Sequence, residues 1–135
     1  MSISIKGRVA MAIVAGLFVF DAVASVPPLA SGTMWAGVAN STKGRAMHVV
    51  AGFDGDSVSL RFGEPAACRI VATPLDAHAD VHTFRFKVSQ NGGAFCRLLY
   101  PGELTLTSLA TGSIGVRFDR GEIAWSGTLE RVGDP

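Results

Sequence analysis

The stretch His82-Thr83-Phe84-Arg85-Phe86-Lys87-Val88-Ser89 decides the fold. Apolar and polar residues alternate strictly along it, placing Phe84, Phe86 and Val88 on one side of an extended chain and Thr83, Arg85, Lys87 and Ser89 on the other. A helix repeats every 3.6 residues and does not read this way. The same period of two resumes after almost every turn signal from Met34 to Leu129. It predicts nine strands: Met34 to Ala39, Ala46 to Phe53, Ser57 to Phe62, Cys68 to Thr73, His82 to Ser89, Ala94 to Tyr100, Glu103 to Leu109, Ser113 to Asp119 and Glu122 to Leu129.

Between them stand Asp54-Gly55, Gly63-Glu64-Pro65, Asn91-Gly92-Gly93, Pro101-Gly102, Thr111-Gly112 and Arg120-Gly121. These are turn residues, because glycine and asparagine tolerate positive φ and proline presets the first central position. Asn91-Gly92 and Arg120-Gly121 carry the strongest hairpin signals. Short connections pair consecutive strands antiparallel. The expected core is Val58, Leu60 and Phe62; Phe84, Phe86 and Val88; Leu104 and Leu106; Ile114, Val116 and Phe118; Ile123, Trp125 and Leu129. The fold class is therefore all-β, with two solutions open: a small antiparallel up-and-down barrel or a two-sheet sandwich, of eight or nine strands. One detail favours closure. Trp35-Ala36-Gly37 in the first strand and Trp125-Ser126-Gly127 in the last each present an indole with a same-face glycine two residues on, and pairing of those strands would let each indole cover the other's glycine.

In layout the chain is similar to the small exported barrels of the calycin group, the lipocalins and avidins, which bind ligands in the barrel mouth. The similarity covers strand count and order, and it implies a fold rather than a function.

The first residues read as a targeting segment. Lys6 and Arg8 make a basic start, Val9 to Phe20 is an unbroken apolar run, and Ala22-Val23-Ala24 is the small-x-small site that precedes signal-peptidase cleavage. As a helix that run reaches about 18 Å, short of a hydrocarbon core of about 30 Å, so no stable membrane anchor is expected. Residues 1–24 are thus a predicted signal peptide, 25–33 an extended lead-in around Pro27-Pro28, 34–131 a single β domain and 132–135 a tail. The protein is expected to be secreted or periplasmic. Removing Lys6, Arg8 and Asp21 from 12 basic and 11 acidic side chains leaves the exported part neutral. That balance excludes a general nucleic-acid binder, which draws on a Lys and Arg excess.

Cys68 and Cys96 are the only cysteines, and export places them where disulfides persist. Each is followed by an arginine and an aliphatic residue, so both sulfurs are expected on the apolar side of strands. A bridge closing about 28 residues contributes about 3.5 kcal/mol on the chain-entropy estimate.

Two constellations are candidate sites. Asp76, His78, Asp80 and His82 alternate along one segment, read as the longest connection; extended, it would offer all four to a zinc, copper or nickel ion. Arg61, Arg69, Arg85, Lys87 and Arg117 fall at outward parity in strands, while acidic residues gather in turns. Neighbouring central strands would join these cations into a stripe for anionic groups. Asp54-Gly55-Asp56-Ser57 opens like a calcium loop but lacks the later ligands, and reads as a turn. No nucleophile elbow, phosphate loop, paired-histidine zinc signature or catalytic cysteine pattern is present, and no cofactor is expected.

The sequence thus points to an exported, non-enzymatic binding module that meets an extracytoplasmic protein, glycan or lipid through its outer basic face or loops. An inhibitor or immunity-type protein fits that description. The alternatives are a lipocalin-like carrier with Phe84, Phe86, Phe118 and Trp125 around an apolar ligand, and a metal-dependent hydrolase using the Asp76 to His82 segment.

Overall fold

The computed structural model describes residues 29–89 and 93–133. The predicted signal peptide and Pro27-Pro28 lie outside them. Eight strands follow in order: β1 (Met34–Ser41), β2 (Ala46–Asp54), β3 (Ser57–Phe62), β4 (Arg69–His78), β5 (Val81–Phe86), then a helical turn α1 (Ala94–Arg97), β6 (Glu103–Ser108), β7 (Ile114–Arg120) and β8 (Ile123–Val132). Each pairs antiparallel with the next, and β8 pairs with β1, so the sheet closes into an up-and-down barrel. Closure removes the open edges that a sandwich would have to protect.

The inward rows fill the barrel. Val58, Leu60, Phe62, Phe84, Phe86, Leu104, Leu106, Ile114, Val116, Phe118, Trp125 and Leu129 are all buried, joined by Trp35, Val49, Ala51 and Ile70. Each large apolar side chain so buried contributes about 1.5–3 kcal/mol relative to exposure. Phe118 ties the rings together: it stacks on Trp125 at 6.2 Å and meets Phe62 and Phe86 edge-on at 5.6 and 6.2 Å.

Three expectations need correcting. Ala94 to Tyr100 is not a strand. Cys96 and Leu99 are its buried residues, a helical i, i+3 spacing, and Leu98-Leu99-Tyr100 breaks the alternation that a strand requires. Consequently Cys96 bonds to Cys68 from a helical turn, and Cys68 itself lies just before β4. Secondly, β5 ends at Phe86, so Val88 is 64% exposed instead of buried. The hairpin expected at Asn91-Gly92 lies outside the described residues; β5 pairs with β6, and residues 87–102 connect the two. A tight turn that was not expected falls at Ala79-Asp80, between the paired His78 and Val81, where Ala79 takes φ 53°. The hairpin expected at Arg120-Gly121 forms one residue further on: Arg120 pairs with Ile123 and the turn is Gly121-Glu122, with Gly121 at φ 62°.

Thirdly, β1 and β8 do pair, but the indoles do not cover the glycines. Gly37 sits opposite Leu129, Gly127 opposite Ala39, and Trp125 opposite Ser41. A Cβ on Gly37 would run into the Thr128 carbonyl, and one on Gly127 into the Val38 carbonyl. The two glycines therefore let the first and last strands approach at the seam. Gly52 in β2 has open space where a Cβ would go. Gly127→Ala is expected to cost about 1–3 kcal/mol, the range for overpacking, with a lowered thermal midpoint, whereas Gly52→Ala leaves the midpoint in place or raises it. Thermal unfolding followed by circular dichroism compares the two.

Candidate functional site

Strand register decides which of the outward cations meet. Arg61 on β3 lies directly opposite Arg69 on β4. The Phe62 amide donates to the Cys68 carbonyl at 2.9 Å, which makes 62 and 68 a hydrogen-bonded pair. Arg61 and Arg69 form the adjacent non-hydrogen-bonded pair, where side chains come closest. Like charges in that position destabilise a sheet. Neither arginine has an ion-pair partner among the described residues, although Glu64 borders the same surface cleft of about 500 Å³.

The stripe continues along β4 and β5. The Lys87 amide donates to the Val71 carbonyl, and Arg85 pairs with Thr73, so Lys87 and Arg85 follow Arg69 along one outer face. Arg85 differs from the others in having a partner, with Nη2 3.5 Å from Glu103 Oε1; both side chains are about half exposed. That contact is worth about 0–1 kcal/mol. Arg117 stands apart. On β7 it faces Thr105 of β6 and Ser126 of β8, and β6 with Glu103 separates it from Arg85.

Apolar side chains share the basic face. Val71, Val88 and Tyr100 are all exposed, and Val88 and Tyr100 border a second cleft with Arg85 and Lys87. Sequence parity missed this company because it placed Val88 in the core and Tyr100 in a strand. The available signal was Tyr100 itself, the chain's single tyrosine, placed beside Pro101.

The Asp76 to His82 residues are divided by the fold. Two features do this: an irregularity between Pro74 and Asp76, and the chain reversal at Ala79-Asp80. Asp76 and His78 fall opposite Thr83 and Val81, whereas His82 falls opposite Ala77 on the alternate face, in the inward row of Phe84. His82 is half-buried at one barrel mouth, near Leu29 and Phe53. Among the described residues no group of three or more His, Cys, Asp or Glu side chains is arranged to hold a metal ion. Likewise, the rings named for an apolar carrier belong to the core: Phe84, Phe86, Phe118 and Trp125 are each at least 96% buried, and Phe118 packs against Phe86 and Trp125.

The disulfide supports the face from below. Both cysteines are buried, and the bridge ties α1 to Cys68, the residue before Arg69 at the start of β4, while Tyr100 after α1 borders the cleft of Thr73, Arg85 and Lys87. No protein-family model matches the chain, nor does any curated protein or solved structure. Its function therefore has to be argued from its own surface.

If Arg61 and Arg69 repel, neutralising one of them relieves the fold. Arg69→Gln is expected to stabilise the protein by about 0.2–1 kcal/mol, whereas Arg85→Gln, which loses Glu103, gives no gain. Urea unfolding midpoints measure both, and a destabilised Arg69→Gln would contradict the reading.

Proposed function

We propose that the protein is an exported, non-enzymatic binding module whose outer face over β3 to β5 docks on an acidic surface of an extracytoplasmic protein. The observation that carries this reading is the opposed pair Arg61 and Arg69, adjacent across strands and without a carboxylate partner among the described residues. A fold gains nothing by itself from two guanidinium groups held together; an incoming carboxylate accepts charge-assisted hydrogen bonds from both. Lys87 and Arg85 extend the same charge along the face.

A protein is favoured over a glycan or lipid by the residues between the cations. Interface centres are enriched in tyrosine and arginine and tolerate exposed aliphatic groups. Tyr100, Val71 and Val88 supply that apolar component beside Arg85 and Lys87. A closed barrel also presents its face rigidly, so little ordering entropy is lost on docking. Inhibition of, or immunity to, an extracytoplasmic enzyme is the class of role such a module serves.

Export is part of the proposal. A buried disulfide implies an oxidising environment, and the first residues carry the three parts of a signal peptide. No helix among the described residues is long and apolar enough to cross a membrane.

The test uses the oxidised protein as bait for the extracytoplasmic fraction of its source, beside the Arg61→Glu, Arg69→Glu double variant. The expected result is one acidic protein retained by the native bait, released as salt rises, and bound at least tenfold more weakly by the double variant at unchanged thermal midpoint. Retention of that protein equally by both baits would remove the basic face from the account.

A further inference from the structure

The barrel mouth opposite His82 is built differently from the outer face. The β1–β2 turn, the segment at Pro65-Ala66, α1 and the β7–β8 hairpin surround a cavity of about 720 Å³. That is within the size range of small-molecule sites. Met47, Phe95, Ile123 and Trp125 give it an apolar lining, and Lys43, Arg45 and Arg120 give it three cations; among the described residues no carboxylate lines it.

Each cation has a fixed origin. Ser41 Oγ accepts hydrogen bonds from the Lys43 and Arg45 amides at 3.2 and 3.0 Å, which pins the turn that carries both side chains. Neither Lys43 nor Arg45 has an ion-pair partner among the described residues. Arg120 is anchored to α1: its Nε donates to the Phe95 carbonyl at 3.2 Å, its Nη2 to the Ala94 carbonyl at 3.4 Å, and its guanidinium lies 4.7 Å from the Phe95 ring centre. The disulfide tethers α1, which carries this wall, to the residue before β4.

One lining residue also carries a buried, unpaired hydrogen-bond donor. Trp125 is 4% exposed, with Phe95 edge-on at 5.5 Å, and among the described residues its Nε1 has no hydrogen-bond partner. Buried polar groups are almost always paired, so such an orphan calls for an explanation. The other tryptophan provides the contrast. Trp35, in the inward row toward the opposite mouth, donates from Nε1 to Thr33 Oγ1 at 3.2 Å. A cavity combining an aromatic wall with three cations and no described carboxylate, one of its lining residues carrying a buried orphaned indole N–H, is complementary to one kind of molecule.

We propose that this mouth binds a small amphiphilic anion: an apolar body against Phe95, Ile123 and Trp125, and a carboxylate or sulfonate head facing Lys43, Arg45 and Arg120. The site shares no residue with the proposed docking face, so either can fail without the other. Anilinonaphthalene sulfonate is a suitable probe, with its uncharged parent phenylnaphthylamine as the control, both titrated by fluorescence against the oxidised protein. The sulfonate is expected to saturate one site at least tenfold more tightly than the parent. Lys43→Gln with Arg45→Gln, both on an exposed turn, should weaken the sulfonate at least fivefold and leave the parent unchanged, while Arg61→Glu with Arg69→Glu leaves both probes unchanged. In nitrogen-15 spectra the Trp125 indole N–H should move on titration and that of Trp35 should stay. Equal affinity for the two probes, a turn variant that binds the sulfonate like the native protein, loss of binding in the Arg61, Arg69 variant, or movement of the Trp35 signal alone would each overturn the assignment.

Discussion

The pairing of β1 with β8 is the constraint on which the molecule depends. Eight strands joined in sequence make a sheet with two open edges, and only the contact between first and last turns it into a closed core. The approach at Gly37 and Gly127 is close enough that a single methyl group would meet the opposing carbonyl. Once closed, the inward rows of every strand share one interior, and Phe118 packs against rings from β3, β5 and β8 at once. Both candidate sites inherit their rigidity from that closure.

The disulfide adds a second constraint at one end of the barrel. The chain leaves β5, passes through α1 and re-enters the sheet at β6. Cys96 fastens this excursion to Cys68. Three features then gather near that staple: the opposed arginines at the β3–β4 boundary, Tyr100 after α1, and Arg120 bonded to the carbonyls of Ala94 and Phe95. The outer face and the mouth are chemically distinct, yet one covalent bond positions a wall of each.

Period-two alternation made the eight strands legible, because a half-buried strand must alternate whatever its neighbours are. The bond between Cys68 and Cys96 was equally legible, with two cysteines and one partner for each. What alternation could not reveal was where a short apolar run leaves the sheet. Ala94 to Tyr100 reads either way until burial singles out Cys96 and Leu99. Nor could it reveal register. That Arg61 meets Arg69, that Arg117 stands apart, and that His82 turns away from Asp76 and His78 all depend on strand offsets set by turns and by the irregularity after Pro74. The mouth was invisible for the same reason. Phe95, Arg120 and the turn that carries Lys43 and Arg45 lie far apart in the chain, and only the closed barrel assembles them.

Native-state hydrogen exchange tests closure most directly. In a sealed barrel the β1 and β8 amides that face each other are bonded, so they should exchange as slowly as those of β3 and β7, through global unfolding. An open sheet or sandwich would leave alternate amides of β1 and β8 unpaired. Fast exchange at those positions, with slow exchange elsewhere, would contradict the closed architecture and the sites built upon it.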